Sequence, residues 1–285
     1  MEISLAAVRE GMAVVGLSEA RRAYVESFWN DIRDRLPGLV AAVMEKWPES
    51  SNPEMPAELD EERRNALFIC LYCLLTKPSR EVYLSKGCTE ENWRDNMPDL
   101  LWHMHDEDGR VWMDTLNGEF VWHCSILNAT NIKLGRLQFY PLACQHDFPS
   151  VGIGKGDHLV GFHIPACGPL TPESCIDAFA RARDFFAARR PAWEFSHFFC
   201  QSWLFNPIYQ KYLPPTSNIV RLQRMGTIIP FPNDSRDAIR RVFTFGHEDV
   251  NTAHPRTAMQ RAVQQILKNG EDIGYGTIVF PRDIH

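Results

Sequence analysis

A chain of 285 residues is long enough for one large domain or two ordinary ones. Apolar residues make up 45% of it and charged residues 23%, as in globular proteins that bury a sizeable core. The formal net charge of -6, with basic residues scattered among acidic ones, gives no electrostatic basis for binding nucleic acid or an anionic membrane surface.

The apolar runs and the cysteines indicate a cytoplasmic protein. The most apolar run, 66–75, is too short to span a bilayer, and residues 1–16 lack the pattern of a secretory signal. The eight cysteines lie in apolar surroundings, as Cys70 and Cys73 do, which favours reduced core thiols over disulfides or zinc ligands. We therefore expect a soluble cytoplasmic protein that binds neither nucleic acid nor membrane.

The first 130 residues carry helical patterns interrupted by proline. Apolar residues recurring every four positions predict the helices, and proline is expected to end or kink them. The predicted elements are a helix over 18–47 begun by Ser18 and kinked or divided at Pro37, a loop over 48–60, a helix over 61–76 ended by Lys77-Pro78-Ser79, a short helix to Ser85 and a helix from Thr89. Residues 111–128 stay ambiguous, because Gly118 weakens an otherwise helical pattern.

After Thr130 strands alternate with helices. The strands 134–140 and 158–165 are expected to form a hairpin. The G-x-G-x-G run at 152–156 lies between them and is followed by a strand, which indicates a hairpin turn rather than a nucleotide site. The remaining predicted elements are a helix over 172–188, a strand over 195–203, a short helix from Asn206, a strand over 218–224, helices near 235–243 and 257–269 and a strand over 277–280.

Several familiar catalytic motifs are absent or incomplete. His103 and His105 are two residues apart and would not share a helix face, so we expect no metal there. The sequence has no G-x-S-x-G nucleophile elbow and no Walker A motif, which disfavours an α/β-hydrolase and a P-loop ATPase.

The segment 163–171 joins a predicted strand to a strongly capped helix. Thr171 fits the N-cap, Pro172 the first helical position and Glu173 the first turn. The free N–H groups and the dipole of such a helix start suit an anion such as pyrophosphate, provided that no acidic side chain occupies the spot. The residues alone leave this interpretation and an ordinary strand-to-helix connection equally open.

Several stretches, together with the order of elements, resemble one family. They are Leu134-Gly135-Arg136-Leu137-Gln138-Phe139, His163-Ile164-Pro165, Gly168-Pro169-Leu170-Thr171-Pro172, Ala182-Arg183-Asp184-Phe185-Phe186, Cys200-Gln201-Ser202-Trp203-Leu204, Leu213-Pro214-Pro215-Thr216-Ser217-Asn218-Ile219 and 260–276. The chain is similar to N-acyltransferases that have a helical N-terminal domain and a GNAT-like C-terminal domain. The resemblance implies an α+β fold, with an all-helical domain over 1–130 and a mixed α/β domain that binds acyl-CoA over 131–285.

By that resemblance, the protein moves an acyl group from acyl-CoA to an amine or another small nucleophile, with no metal. The strand 195–203 would splay from the strand that ends at Pro165 and leave a wedge for the pantetheine arm. Of the glycine-rich loop usual in such enzymes, only Gly168 is present, and Pro169 follows it. The residues expected to hold the cofactor are Ile164, Pro165, Ala166, Cys167, Gly168, Leu170 and Thr171.

Acyl transfer needs a base for the amine and stabilisation of the oxyanion and the leaving thiolate. His163 is the candidate base, since an imidazole titrates near neutrality. Tyr209 matches the position where acetyltransferases often place a thiolate-protonating tyrosine. Cys200 and Ser202 are expected to line the wedge.

Two alternatives stay open from the sequence. One is a covalent route, in a Cys-dependent acyltransferase or hydrolase, with Cys200 as nucleophile and His163 or His197 as base. The other is a non-catalytic module of the same fold that binds acyl-CoA as a ligand.

Overall fold

The computed structural model describes residues 1–49, 51–107, 109–113, 120–231, 236–243 and 249–285, which form two compact units. The helical unit comprises Met1–Lys133 and Pro165–Cys167, and the sheet unit comprises Leu134–Ile164 and Gly168–His285. Among the described residues, no helix is long and apolar enough to cross a membrane.

The helical unit is built around one long buried helix, α5. Its helices are α1 (Leu5–Val15), α2 (Glu19–Ser27), α3 (Trp29–Ile32), α4 (Leu36–Met44), α5 (Glu61–Ser85), α6 (Glu90–Asn96) and α7 (Phe120–Leu127). Short 3-10 helices span Arg33–Arg35 and Met97–His103, and a hairpin joins β1 (Met104–Glu107) to β2 (Arg110–Met113). Every α5 residue from Asn65 to Thr76 is buried. The helix α1 lies directly on α5, where a Cβ atom at Gly11 would stand 2.1 Å from the Cys73 carbonyl oxygen.

The long helix expected over 18–47 is divided into α2, α3, a 3-10 turn and α4. Ser18 begins α2 as predicted, since its hydroxyl accepts the backbone N–H of Arg21. The division does not occur at Pro37. This proline lies in the first turn of α4, where a missing N–H leaves no helical hydrogen bond unmade.

The helix expected to end at Lys77-Pro78-Ser79 runs on to Ser85, so that expectation was wrong. Pro78 removes one N–H from the helical ladder, but the turns after it are held by packing. Ser79 and Tyr83 are fully buried, and the Tyr83 hydroxyl donates to the Ile126 carbonyl at 2.8 Å.

The other expectations for this half had mixed outcomes. Thr89 begins α6 as predicted, through a capping box with Asn92. The ambiguous segment 111–128 is partly strand β2 and partly helix α7, and its residues 114–119 lie outside the described chain. The sequence did not indicate α1.

A mixed six-stranded sheet has the strand order β3-β4-β5-β6-β8-β7, and all of it except residues 132 and 133 belongs to the sheet unit. Its strands are β3 (Ile132–Leu134), β4 (Leu137–Ala143), β5 (His158–His163), β6 (His197–Ser202), β7 (Thr227–Phe231) and β8 (Tyr275–Pro281). The strands β4 and β5 form the predicted antiparallel hairpin, and β5 pairs with β6 in parallel. The strand β8 is antiparallel to both of its neighbours, β6 and β7.

The helices of the sheet unit are α8 (Pro172–Arg189), α9 (Tyr209–Tyr212), α10 (Asn218–Gln223), α11 (Arg236–Val242) and α12 (Ala258–Lys268). Residue 235, where the expected helix 235–243 begins, lies outside the described chain. The strand expected over 218–224 is wrong, because α10 occupies it. The Ser217 hydroxyl accepts the Val220 N–H at 3.3 Å and caps that helix. The strand comes later, as β7.

One helix defines the covered face of the sheet. Phe179 of α8 contacts Phe139, Phe162, Phe198 and Phe280, with ring centroids 6.0, 5.3, 4.7 and 5.0 Å away. These four rings come from β4, β5, β6 and β8, so the core lies between α8 and this face. Because strand side chains alternate, the neighbouring positions, including Tyr140, Gly161 and His163, lie on the opposite face.

Candidate active site

The parallel strands β5 and β6 separate after two pairs of residues. Val160 pairs with Phe198 and Gly161 with Phe199, whereas β5 continues to His163 and β6 to Ser202 without pairing with each other. Beyond Phe199, β6 stays paired with β8 on its other side. The result is a fork that closes at Gly161 and opens toward the carboxyl ends of both strands. The predicted splay is present.

His163 is the last residue of β5, on the open arm of the fork. It is half-buried and stands opposite Gln138 of β4. Alternation places its imidazole on the face opposite α8, together with Gly161. A ring in this position borders the gap between the two strands, as a base for a substrate in the gap must.

Tyr140 is a residue of this site that the sequence analysis missed. It stands directly opposite Gly161 in the β4–β5 pair. A Cβ atom at Gly161 would lie 2.3 Å from Tyr140 Cε2 and 2.9 Å from its hydroxyl oxygen, so the phenol crosses over the glycine. Burial raises the pKa of Tyr140 to about 12, with a smaller contribution from the Cys200 thiol. The hydroxyl therefore reaches the closed end of the fork.

The segment after β5 leads into the start of α8. Thr171 caps the helix as predicted, since its hydroxyl accepts the Ser174 N–H at 3.2 Å. Gly168 has φ 132 and open space beside its Cα atom. The Arg136 guanidinium donates to the carbonyl oxygens of Gly168 and Pro169, at 2.7 and 2.9 Å. The remaining candidate residues differ in exposure: Pro165 and Leu170 are buried, Ile164 and Cys167 half-buried and Ala166 exposed.

An acidic side chain occupies the first turn of α8. The Glu173 carboxylate accepts its own backbone N–H and pairs with Arg221 of α10, and these contacts lower its pKa. The helix start therefore does not meet the condition for an anion site that no acidic side chain occupies it.

A comparison of the sequence with known protein families identifies the family of this chain. The family described as "GNAT-like C-terminal domain" matches residues 132–280, just over half of the chain. The chain belongs to this family. The resemblance inferred from its sequence is thereby confirmed, as is the α+β fold of a helical region followed by a GNAT-like domain.

Solved acyltransferase structures share the fold at low sequence identity. An acyltransferase in complex with decanoyl-CoA and teicoplanin matches with a TM-score of 0.75 and 20% identity, over 96% of this chain and 87% of that chain. An acyltransferase in complex with CoA and 10C-teicoplanin gives 0.74 and 20% over the same shares. A mutant acyltransferase in complex with octanoyl-CoA gives 0.73 and 19%, again over 96% and 87%. No curated protein gives a significant match.

In this GNAT-like domain Cys200 points away from His163. It follows Phe198 by two residues on β6, so alternation places it on the face covered by α8. The side chain is buried, and burial raises the pKa of its thiol far above the ordinary value. A thiol held protonated in the core is a poor nucleophile. The geometry does not support the covalent route.

His197 does not supply a base for Cys200 either. It is three residues from Cys200 on the same strand and therefore faces the opposite side of the sheet. Burial lowers the pKa of His197, and its Nδ1 atom lies 3.0 Å from the Ser196 hydroxyl. Its place is at the start of β6, before the fork begins.

Tyr209 lies in a separate apolar cluster of the sheet unit. It is fully buried among side chains that include Leu213, Val220 and Val263. Its hydroxyl has no hydrogen-bond partner among the described residues, and burial raises its pKa far above the ordinary value. The Tyr209 ring lies 6.1 Å from the ring of Trp203, the residue that directly follows the end of β6.

Ser202 ends β6 at the open side of the fork and is half-buried. Its hydroxyl accepts the Leu204 N–H at 3.3 Å and thereby caps the 3-10 helix Trp203–Phe205. Ser202 therefore has a structural role at the end of the strand. No cluster of three metal-binding side chains occurs within the part of the chain that the structure describes.

Proposed function

We propose that the protein is an acyl-CoA-dependent N-acyltransferase, which moves an acyl group to an amine or another small-molecule nucleophile. The observation that carries this proposal is the fork between β5 and β6 with His163 on its open arm. Past Gly161 and Phe199, the facing backbone groups of the two strands do not bond to each other. A pantetheine arm contains two amides, which form hydrogen bonds with backbone N–H and C=O groups in the same way as an added strand does.

The proposed reaction is direct transfer. The acceptor nitrogen attacks the thioester carbonyl carbon, the new C–N bond forms and the C–S bond breaks. His163 takes the proton that the attacking amine loses. CoA leaves as the thiolate and is then protonated. No covalent enzyme intermediate is needed, in agreement with the buried, protonated Cys200 thiol.

For the cofactor, we propose that residues 131–285 form the binding domain and that the pyrophosphate lies beside the start of α8. Gly168 leaves open space there, and the adjacent Arg136 guanidinium supplies positive charge. In this proposal Ile164, Pro165, Ala166, Cys167, Gly168, Leu170 and Thr171 surround the cofactor. Glu173 must yield Arg221 or move aside when the phosphates bind.

The acceptor is proposed to be a small molecule, and the proposed location is the cytoplasm. Because two of the solved structures with this fold contain teicoplanin or 10C-teicoplanin, teicoplanin is the first acceptor to test. The acyl chains in those structures make decanoyl-CoA the first donor.

The decisive experiment separates binding from turnover. We expect calorimetric binding of decanoyl-CoA, and thiol release that teicoplanin or a simple primary amine accelerates. His163→Ala should keep the affinity for decanoyl-CoA and lower kcat by about 100-fold or more, the usual contribution of a general base. The control is His158→Ala, at the other end of β5, which should change neither.

Two outcomes would overturn this proposal. If decanoyl-CoA binds but no acceptor tested gives thiol release, the protein is a non-catalytic binding module. Absence of binding would remove acyl-CoA as the ligand.

A further inference from the structure

The closed end of the fork holds the phenol of Tyr140, which has no role in the reaction proposed above. Gly161 is the last β5 residue that pairs with β6, and the Tyr140 ring crosses over it. The hydroxyl oxygen would stand 2.9 Å from a Cβ atom at Gly161. The phenol therefore spans from β4 across β5 to the point where the gap begins.

This hydroxyl is available for a ligand. No hydrogen bond joins it to another residue of the described chain, although the side chain is half-buried. With its pKa raised to about 12, the phenol keeps its proton throughout the neutral range. It is thus a hydrogen-bond donor in a partly dehydrated place, where such a bond to a developing negative charge is stronger than in water.

Tyr140 and His163 are neighbours on the same face of the sheet. Tyr140 stands opposite Gly161, and His163 is two residues further along β5. Residues in this diagonal relation have Cα atoms about 7–8 Å apart, within reach of long aromatic side chains. A tetrahedral carbon placed between the two rings would have its entering nitrogen near one and its leaving sulfur near the other.

We propose that Tyr140 is a second catalytic residue, whose O–H donates a hydrogen bond to the sulfur of the leaving CoA. This inference rests on the proposed acyl transfer and adds a role to the same site. As the C–S bond breaks, its electron pair stays on sulfur, and the Tyr140 O–H stabilises that charge. The thiolate then takes a proton from solvent, so the phenol leaves the reaction unchanged.

The kinetic test is Tyr140→Phe, which removes only the hydroxyl. We expect kcat for decanoyl-CoA and teicoplanin to fall about 10- to 100-fold, with KM for decanoyl-CoA nearly unchanged and the same melting temperature. The matched control is Tyr24→Phe in the helical unit, a tyrosine whose pKa is also raised to about 12. It should leave kcat unchanged.

A binding test needs no acceptor. If the Tyr140 hydroxyl bonds to the sulfur, the parent should bind CoA several-fold more tightly than desulfo-CoA in calorimetric titrations. Tyr140→Phe should bind the two equally. A variant that keeps both kcat and the preference for CoA would overturn the role of Tyr140 alone. A parent that neither binds CoA nor releases thiol would overturn the acyl-transfer proposal and this inference together.

Discussion

The candidate site depends on position 161 being a glycine, which has no side chain. The Tyr140 ring takes the volume that any other residue would fill, since an added Cβ would stand 2.3 Å from ring carbon Cε2. We expect Gly161→Ala to displace the ring from the fork. Overpacking of this kind costs about 1–3 kcal/mol, and in an active enzyme kcat should fall at least as far as in Tyr140→Phe. Thermal unfolding and thiol release measure the two effects.

The control for this change is Gly38→Ala in α4. Gly38 is exposed, has nothing within 4 Å of an added Cβ and lies inside a helix. Alanine there should raise stability by about 0.5–1 kcal/mol and leave the activity unchanged. A stable and fully active Gly161→Ala variant would contradict the place given to Tyr140.

From the sequence, His163 could be selected by its residue type and its position at a strand end, but Tyr140 could not. Its relation to Gly161 depends on the β4–β5 register, which a loop of 14 residues, 144–157, leaves undetermined in the sequence. The burial of Tyr209 likewise depends on α12, which is distant in the chain. Alternation along β6, by contrast, would have separated Cys200 from His197 without a structure.

Among the secondary-structure elements, the start of α8 determines how the cofactor would be held. The Gly168 backbone, at φ 132, is one that L-residues rarely adopt, so a larger residue there would disturb folding as well as ligand approach. A substitution at Gly168 is therefore an unclear test of phosphate binding. Glu173 offers a better one.

We expect Glu173→Gln to bind CoA more tightly than the parent, by about 3- to 10-fold at low salt. The substitution removes the negative charge that faces the proposed pyrophosphate and releases Arg221 from its ion pair. Calorimetry at two salt concentrations measures the gain, which should shrink at the higher one. Asp177→Asn, one turn along the same helix and paired with Arg181, is the control. Equal affinities for all three proteins would place the phosphates elsewhere.

The elements that sequence patterns predicted well are those with local signals. Thr171, Pro172 and apolar residues at helical spacing predicted α8. Two strand-like runs on either side of a glycine-rich loop predicted the β4–β5 hairpin. The prediction for 218–224 was wrong because a short apolar run such as Ile219, Val220 and Leu222 fits strand and helix alike, and the cap at Ser217 was the missed signal. The helix end predicted at Pro78 was wrong for another reason, because burial of the following turns outweighs the lost hydrogen bond.

The cysteines of the whole molecule lie mostly in its apolar interior. None of the eight cysteines, all of which the structure describes, forms a disulfide bond, and Cys167 is half-buried whereas the other seven are buried. Burial raises the pKa of five of them: Cys70, Cys73, Cys124, Cys175 and Cys200. In the unfolded chain these thiols regain an ordinary pKa, about 8.5. The two states therefore bind different numbers of protons above that pH.

This difference predicts that the protein loses stability in mild alkali. A thiol whose folded pKa is raised contributes stability that is fully present below about pH 8.5 and is lost as pH rises toward the folded pKa. For each thiol that stays protonated in the folded protein, the loss approaches about 1.4 kcal/mol per pH unit once the pH lies well above 8.5. Because a whole domain is stable by only about 5–15 kcal/mol, urea unfolding at pH 7.5, 8.5 and 9.5 should show a steep decline at the last step. Replacing Cys175 and Cys200 by alanine should reduce that slope by about two fifths, whatever the cavities cost at pH 7.5. Equal stability at pH 7.5 and 9.5 would mean that these thiols ionise as readily in the folded protein as in the unfolded chain.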